Sequence, residues 1–223
     1  MSRIVVKVGG AVAAVAVADA VALVDAGHEV VVVHGAGPQI SQEMERLGLT
    51  VRFVGGRRVT DAATLEVVRA SLAEVNAAVC AAIGPRALGL MGDLIGLQAT
   101  RVPELGLVGD AVPTASQAVL DALAHGLVPV VAPLASGPLN VNADEAAAAL
   151  AVGIGADRLL FLTDVPGVYD GGGMLIGSLA ADHAEALIGG GAFEGGIVPK
   201  LTAAIRAARL GVDATIGETA VTA

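Results

Sequence analysis

Lys7 and Lys200 are the only lysines in a chain of 223 residues, whose other positive charges are eleven arginines. Each lysine lies beside a glycine pair. In Ile4-Val5-Val6-Lys7-Val8-Gly9-Gly10 an apolar, strand-like run stops at two residues without side chains and passes into a helical pattern. A strand that ends in glycines and feeds a helix presents backbone N–H groups and the positive end of the helix dipole, a setting for an anion and most often for phosphate. The same residues also read as a solvated strand-end lysine above a plain turn, and this stretch alone leaves both readings open.

Three further groups are chemically suggestive. Gly55-Gly56-Arg57-Arg58-Val59-Thr60-Asp61 is a glycine-led corner ending in a helix cap, Thr60 or Asp61. An arginine at such a corner can grip a carboxylate through two parallel hydrogen bonds, or the pair can simply be solvated. In Leu139-Asn140-Val141-Asn142-Ala143-Asp144-Glu145, Asn140 and Asn142 alternate as strand residues do before an Ala-rich helix. Asp144 or Asn142 can cap that helix with no further role, but a carboxylate there can also hold a lysine ammonium. His34, a strand-end histidine, reads as a packed residue rather than a ligand.

Composition narrows the background. Hydrophobic residues make up 55% of the chain, yet the aromatics are three Phe and one Tyr. The core must therefore be Ala, Val, Leu and Ile, which suits buried parallel strands and close-packed helices. A net charge of −9 argues against nucleic acid or an anionic membrane surface as partner. The single cysteine, Cys80, cannot form an internal disulfide and falls in an apolar helical pattern, which predicts a core thiol in a reducing, cytoplasmic compartment. Residues 11–24 are apolar but carry Asp19, follow a strand and are too short to span a bilayer, so a buried helix is expected there.

The elements that must position these groups alternate. A second strand, residues 28–34, breaks at Gly35-Ala36-Gly37-Pro38 before a helix over 39–47, with Pro38 in its first turn. Two strand–glycine–helix units in succession imply a parallel sheet with neighbouring helix N-termini facing one crevice. Neither turn matches the dinucleotide fingerprint, and no Walker-type loop is present. A strand over 51–54, a helix over 62–83, a helix over 115–125 and a strand over 127–132 follow. Residues 86–110 read as a β-ribbon insertion outside the helix–strand alternation. Residues 158–163 form another buried strand, 171–173 a hairpin-like tip, 180–188 a helix, 201–210 a last helix and 212–221 an extended end.

Taken in order, Lys7-Val8-Gly9-Gly10, His34-Gly35-Ala36-Gly37-Pro38-Gln39-Ile40, Gly56-Arg57-Arg58-Val59-Thr60, Asn140-Val141-Asn142-Ala143-Asp144, Thr163-Asp164-Val165-Pro166-Gly167-Val168-Tyr169 and Gly195-Gly196-Ile197-Val198-Pro199-Lys200 resemble the amino-acid kinase family. The Arg58 and Asn140 motifs resemble its acetylglutamate branch. The resemblance implies an α/β fold, a three-layer α/β/α sandwich with a mainly parallel central sheet. Residues 1–138 would form a substrate-binding lobe and 139–223 an ATP-binding lobe.

By matching positions, Lys7 and Lys200 would stabilise the transferring phosphoryl group and Asp144 would orient both ammonium groups. Gly9, Gly10, Gly35 and Gly37 would bind phosphate, with Ala36 and Gly37 beside the substrate and Arg58 and Asn140 on its carboxylate. Asp164, Val165, Pro166, Gly167, Val168 and Tyr169, with Ala192, Phe193 and Glu194, would line the ATP pocket. The implied reaction is ATP-dependent phosphorylation of the γ-carboxylate of N-acetyl-L-glutamate in arginine biosynthesis, with Mg2+ held mainly through the phosphates and no metal-binding side chain. The alternatives are a sister kinase for another carboxylate or carbamate, and a non-catalytic nucleotide- or amino-acid-binding regulator of the same fold.

A carboxylate acceptor is ionised at neutral pH, so this chemistry needs no protein base or nucleophile; it needs in-line positioning and positive charge. The chain departs from the family at Ala36, where a middle glycine is usual: its methyl group could crowd the substrate and restrict φ. Residues 90–93 match the family's serine- and lysine-containing turn only loosely. The chain also stops sooner after Lys200 than is usual and lacks the added N-terminal helix that accompanies hexamers, which leads to the expectation of an arginine-insensitive homodimer.

Overall fold

The computed structural model describes residues 1–9, 13–163 and 165–223, with the backbone alone at 13–16. Its first half contains β1 (Arg3–Val8), α1 (Ala13–Asp25), β2 (Glu29–His34), α2 (Gly37–Arg46), β3 (Phe53–Val54), β4 (Arg57–Arg58), α3 (Ala62–Ile83), β5 (Ala87–Met91), β6 (Ala99–Arg101) and β7 (Val108–Ala111). The second half contains α4 (Gln117–Ala124), β8 (Val128–Ala132), β9 (Leu134–Ala135), β10 (Leu139–Val141), α5 (Ala143–Gly153), β11 (Arg158–Leu162), β12 (Ser178–Ala180), α6 (Ala181–Gly189), α7 (Ile197–Arg209), β13 (Asp213–Ile216) and β14 (Thr219–Thr222).

Eight strands make the central sheet in the order β12-β14-β13-β11-β1-β2-β8-β5, parallel except for the β13–β14 pair. Alternation along β1 sorts its side chains between two layers. Ile4, Val6 and Val8 pack with Val17 and Ala20 of α1 and Val79 of α3. Val5 packs on the other face with the alanines of α5 and with residues of α4 and α7. The result is the expected α/β/α sandwich. Residues 146–151 of α5 are all buried, five alanines and Leu150, and this run of small side chains brings the helix close to the sheet.

Several expectations need correcting. β5 is an edge strand of the main sheet, paired in parallel with β8, and is no part of a ribbon insertion. Its half-exposed Ala-Leu-Gly-Leu-Met sequence obscures the strand, and Gly89 is there because a Cβ would lie 2.3 Å from the Asn76 amide oxygen. Residues 99–111 do form a ribbon, but in a second sheet of order β6-β7-β10-β9. The helix α1 exposes Ala18, Asp19 and Ala22, so it is a surface helix with one buried face. Cys80 is half-buried at the edge of the α1–α3 layer. The last helix begins at Ile197, before Lys200, because Pro199 falls in a first turn where the missing N–H costs nothing.

Candidate active site

β1 and β11 are neighbours whose outgoing connections run to opposite sides of the sheet: β1 leads to β2 on one side and β11 to β12 at the far edge on the other. Crevices at the carboxyl ends of strands at such a switch point are the usual ligand sites of open α/β sheets. Lys7 sits there, near the end of β1 and on the α5 face.

The alternatives left open for Asp144 are settled by the cap of α5. Asn142 Oδ1 accepts the N–H groups of Asp144 at 2.8 Å and Glu145 at 3.2 Å, so Asn142 is the cap. The Asp144 side chain is thereby released for other work. Lys7 Nζ lies 2.8 Å from Asp144 Oδ1 and Lys200 Nζ lies 3.8 Å from Oδ2. The two lysines, nearly a chain length apart in sequence, meet on one buried carboxylate. The Lys7 contact is a charge contact off the hydrogen-bonding direction of Oδ1. Lys200 also reaches the Gly196 carbonyl at 3.4 Å.

Two cavities meet at this cluster. The first, about 260 Å³, is lined by Lys7, Ala36, Gly37, Arg58, Asn140 and Asp144, among others. The second, about 620 Å³, is lined by Asp144, Phe193, Glu194, Gly196 and Lys200 together with residues of the β3–β4 hairpin. Asp144 is common to both walls. The N-termini of α2 and α7 face this region, and neither has a side-chain cap among the described residues. Their first N–H groups have no helical acceptor and carry the positive end of the dipole.

Arg58 is not solvated: it is buried against the Phe53 ring, 4.6 Å from its centroid. It donates to Ser41 Oγ at 2.8 Å and to the Gly37 carbonyl at 3.1 Å, and among the described residues no carboxylate lies within ion-pair reach of it. Burial pushes the guanidinium below its ordinary pKa. A buried cation without a counter-charge on the wall of a cavity is a site for an anionic ligand. Asn140 shares that wall and is braced by Thr60, whose Oγ1 accepts from Asn140 Nδ2 at 3.0 Å.

Other expected site residues are placed unevenly. Gly10 and Asp164 lie outside the described residues. Gly9 follows β1, half-buried. Gly35 lines the first cavity, but its N–H donates to the Val8 carbonyl at 3.1 Å, extending the β1–β2 ladder, and so is not offered to phosphate. Gly37 opens α2, and its N–H has no helical acceptor. Ala36 has φ −141°, outside the left-handed region that favours glycine, and its side chain is buried on the cavity wall. Phe193 and Glu194 line the second cavity, whereas Ala192, next to them, is exposed and is not on its wall. Val165, Pro166, Gly167, Val168 and Tyr169 line neither cavity. They turn over the β13–β14 hairpin, where Val168 N donates to Thr219 Oγ1 at 2.8 Å.

His34 is packed, as expected. Asn76 Nδ2 donates to the Val130 carbonyl at 2.8 Å and lies 3.0 Å from His34 Nε2, which makes Nε2 an acceptor and the ring neutral. Burial lowers its pKa from 6.5 to about 4, against an opposing contact with the Gly35 backbone. The unfolded chain takes up a proton near pH 6.5 and the folded chain does not. Stability present above pH 6.5 is therefore lost as pH falls towards 4, by about 3 kcal/mol in total. Urea unfolding between pH 7 and pH 4 should show this loss, and His34→Gln should flatten it; an unchanged slope in the variant would contradict the assignment.

The sequence profile of the amino acid kinase family matches residues 2–217. An acetylglutamate kinase of Koribacter versatilis is 41% identical over 94% of this chain and 87% of its own length. An acetylglutamate kinase of Cereibacter sphaeroides is 40% identical over 96% of this chain and 78% of its own. Among solved structures, a Streptococcus mutans protein superposes with a TM-score of 0.86 at 26% identity, covering 99% of this chain and 98% of that one.

Proposed function

This chain belongs to the amino acid kinase family, and we propose that it phosphorylates the γ-carboxylate of N-acetyl-L-glutamate with ATP as donor, a step of arginine biosynthesis. The observation that carries the reading is the meeting of Lys7 and Lys200 on Asp144, on the wall common to two cavities. Relatives named acetylglutamate kinase at about 40% identity supply the choice of acceptor.

The first cavity takes the acceptor, one of its carboxylates on Arg58 and Asn140. The second takes the nucleotide, its phosphates towards the N-terminus of α7. In the reaction, a carboxylate oxygen attacks the γ-phosphorus and the bond from phosphorus to the bridging oxygen of ADP breaks, with its electron pair leaving on ADP. No proton moves. The two ammonium groups flank the transferring group and offset the charge gathering on its oxygens.

The donor set of the site fits a Mg2+ carried mainly by the nucleotide phosphates, because both Asp144 oxygens face ammonium groups. When bound, the ion supplies further neutralisation of phosphate charge. The division into an acceptor lobe, residues 1–138, and a nucleotide lobe, 139–223, follows the same assignment. No described helix is long and apolar enough to cross a membrane. A cytoplasmic homodimer is the proposed state; a monomer by light scattering would contradict the dimer.

The test is a phosphorylation assay across N-acetyl-L-glutamate, glutamate, aspartate and carbamate. N-acetyl-L-glutamate should give the highest kcat/KM, and preference for another acceptor would overturn the substrate assignment. In Arg58→Ala, KM for the acceptor should rise by about 10- to 100-fold, the loss expected for hydrogen bonds to a charged group, while KM for ATP changes little. Equal changes in both KM values would remove Arg58 from the acceptor site.

A further inference from the structure

Arg57 stands next to the carboxylate-binding arginine but is used differently. Its Nε and Nη2 donate to the two oxygens of Glu145 at 2.8 and 2.9 Å, a two-point grip on the residue that follows Asp144. Its Nη2 also lies 3.2 Å from Asp110 Oδ1. The same Asp110 oxygen receives Arg206 Nη1 at 3.0 Å. One carboxylate of β7 thus joins β4 to α7, the helix that carries Lys200. Arg57 has two carboxylates to satisfy it, so it carries no unmet charge for substrate.

The hairpin made by β3 and β4 is fastened at its turn as well. The Gly56 carbonyl accepts from Asn142 Nδ2 at 3.3 Å. Gly56 itself lies so close to Pro199 in the first turn of α7 that an added Cβ would stand 2.6 Å from Pro199 Cγ. Phe53 and Gly56 of this hairpin are on the walls of both cavities. Among the described residues its outward support from ion pairs is Arg57, only 23% exposed at the side chain, where two-point pairing is worth more than at an open surface.

We propose that Arg57 is a positioning residue: with Glu145 and Asp110 it clamps the β3–β4 hairpin over the acceptor cavity and, through Asp110 and Arg206, registers the hairpin against the helix bearing Lys200. The kinetic part rests on the acceptor assignment made above; the mechanical part does not. Arg57 acts through Phe53 and Arg58, which share its hairpin and face the acceptor, and it touches no reacting atom.

The test compares wild type, Arg57→Ala and Arg57→Lys by steady-state kinetics and by amide hydrogen exchange without ligands. In Arg57→Ala, KM for N-acetyl-L-glutamate should rise by about tenfold with a much smaller change in kcat and in KM for ATP. Arg57→Lys should recover little of this, because an ammonium cannot make the paired grip. Exchange across residues 53–58 should quicken by about tenfold while β1 and β2 are unchanged. An unaltered acceptor KM, full rescue by lysine, or a uniform rise of exchange through the core would each overturn the proposal. If wild type does not phosphorylate N-acetyl-L-glutamate, the acceptor assignment fails, and the exchange at 53–58 alone decides the clamp: faster exchange confined to the hairpin supports it, and unchanged exchange overturns it.

Discussion

Replacing Lys200 by alanine should lower kcat by about 100- to 1,000-fold, the usual loss when one donor to developing transition-state charge is removed, and leave KM for the acceptor nearly unchanged. The fold should hold, because the Lys200 side chain is 20% exposed and its contact with Asp144 is the longer of the two, 3.8 Å. Lys7→Ala should cost at least as much turnover, and it should also lower stability because the Lys7 side chain is only 7% exposed and pairs at 2.8 Å. Single-turnover rates with saturating ATP and acceptor provide the measurement. Turnover equal to wild type in either variant would undo the mechanism.

Asp144→Ala is expected to destabilise the protein by about 3–5 kcal/mol, the range for breaking a buried ion pair from one side. The variant leaves the Lys7 ammonium in a buried site, while the cap of α5 survives because Asn142 makes it. The double variant Asp144→Ala with Lys7→Met should regain much of the lost stability, since no charge is then stranded, but none of the activity. Denaturant midpoints and kcat on the same samples separate the two roles. A stable Asp144→Ala would show that the pair is not buried as described.

The parts of the site legible in the sequence were those with local backbone reasons. Lys7 at a strand end before glycines, Pro38 in a first helical turn and Asn140 on a strand before a cap all stand where the pattern puts them. The choice between Asn142 and Asp144 as cap was not decidable from spacing, because both residue types cap well; only the fold shows Asn142 in that role. The pairing of Arg57 with Glu145 and Asp110 was equally hidden, since it joins three separate elements. That the Gly35 N–H is spent on the Val8 carbonyl is not legible either, because a turn glycine and the last rung of a parallel ladder look alike in sequence. The place of β5 in the main sheet is not legible, because an edge strand with exposed positions and a glycine lacks the apolar run that marks β1 and β2 and so resembles a strand of the ribbon.

The near-uniform alanine packing of α5 bears on how this site spends its time. Alanine has no rotamers to exchange, so the carboxylate at the helix start inherits the stillness of the backbone beneath it. The strand-borne ammonium is held by that carboxylate from the moment the chain folds. Arriving nucleotide thus meets an electric field already oriented, with the sheet and the helix above it as a fixed frame.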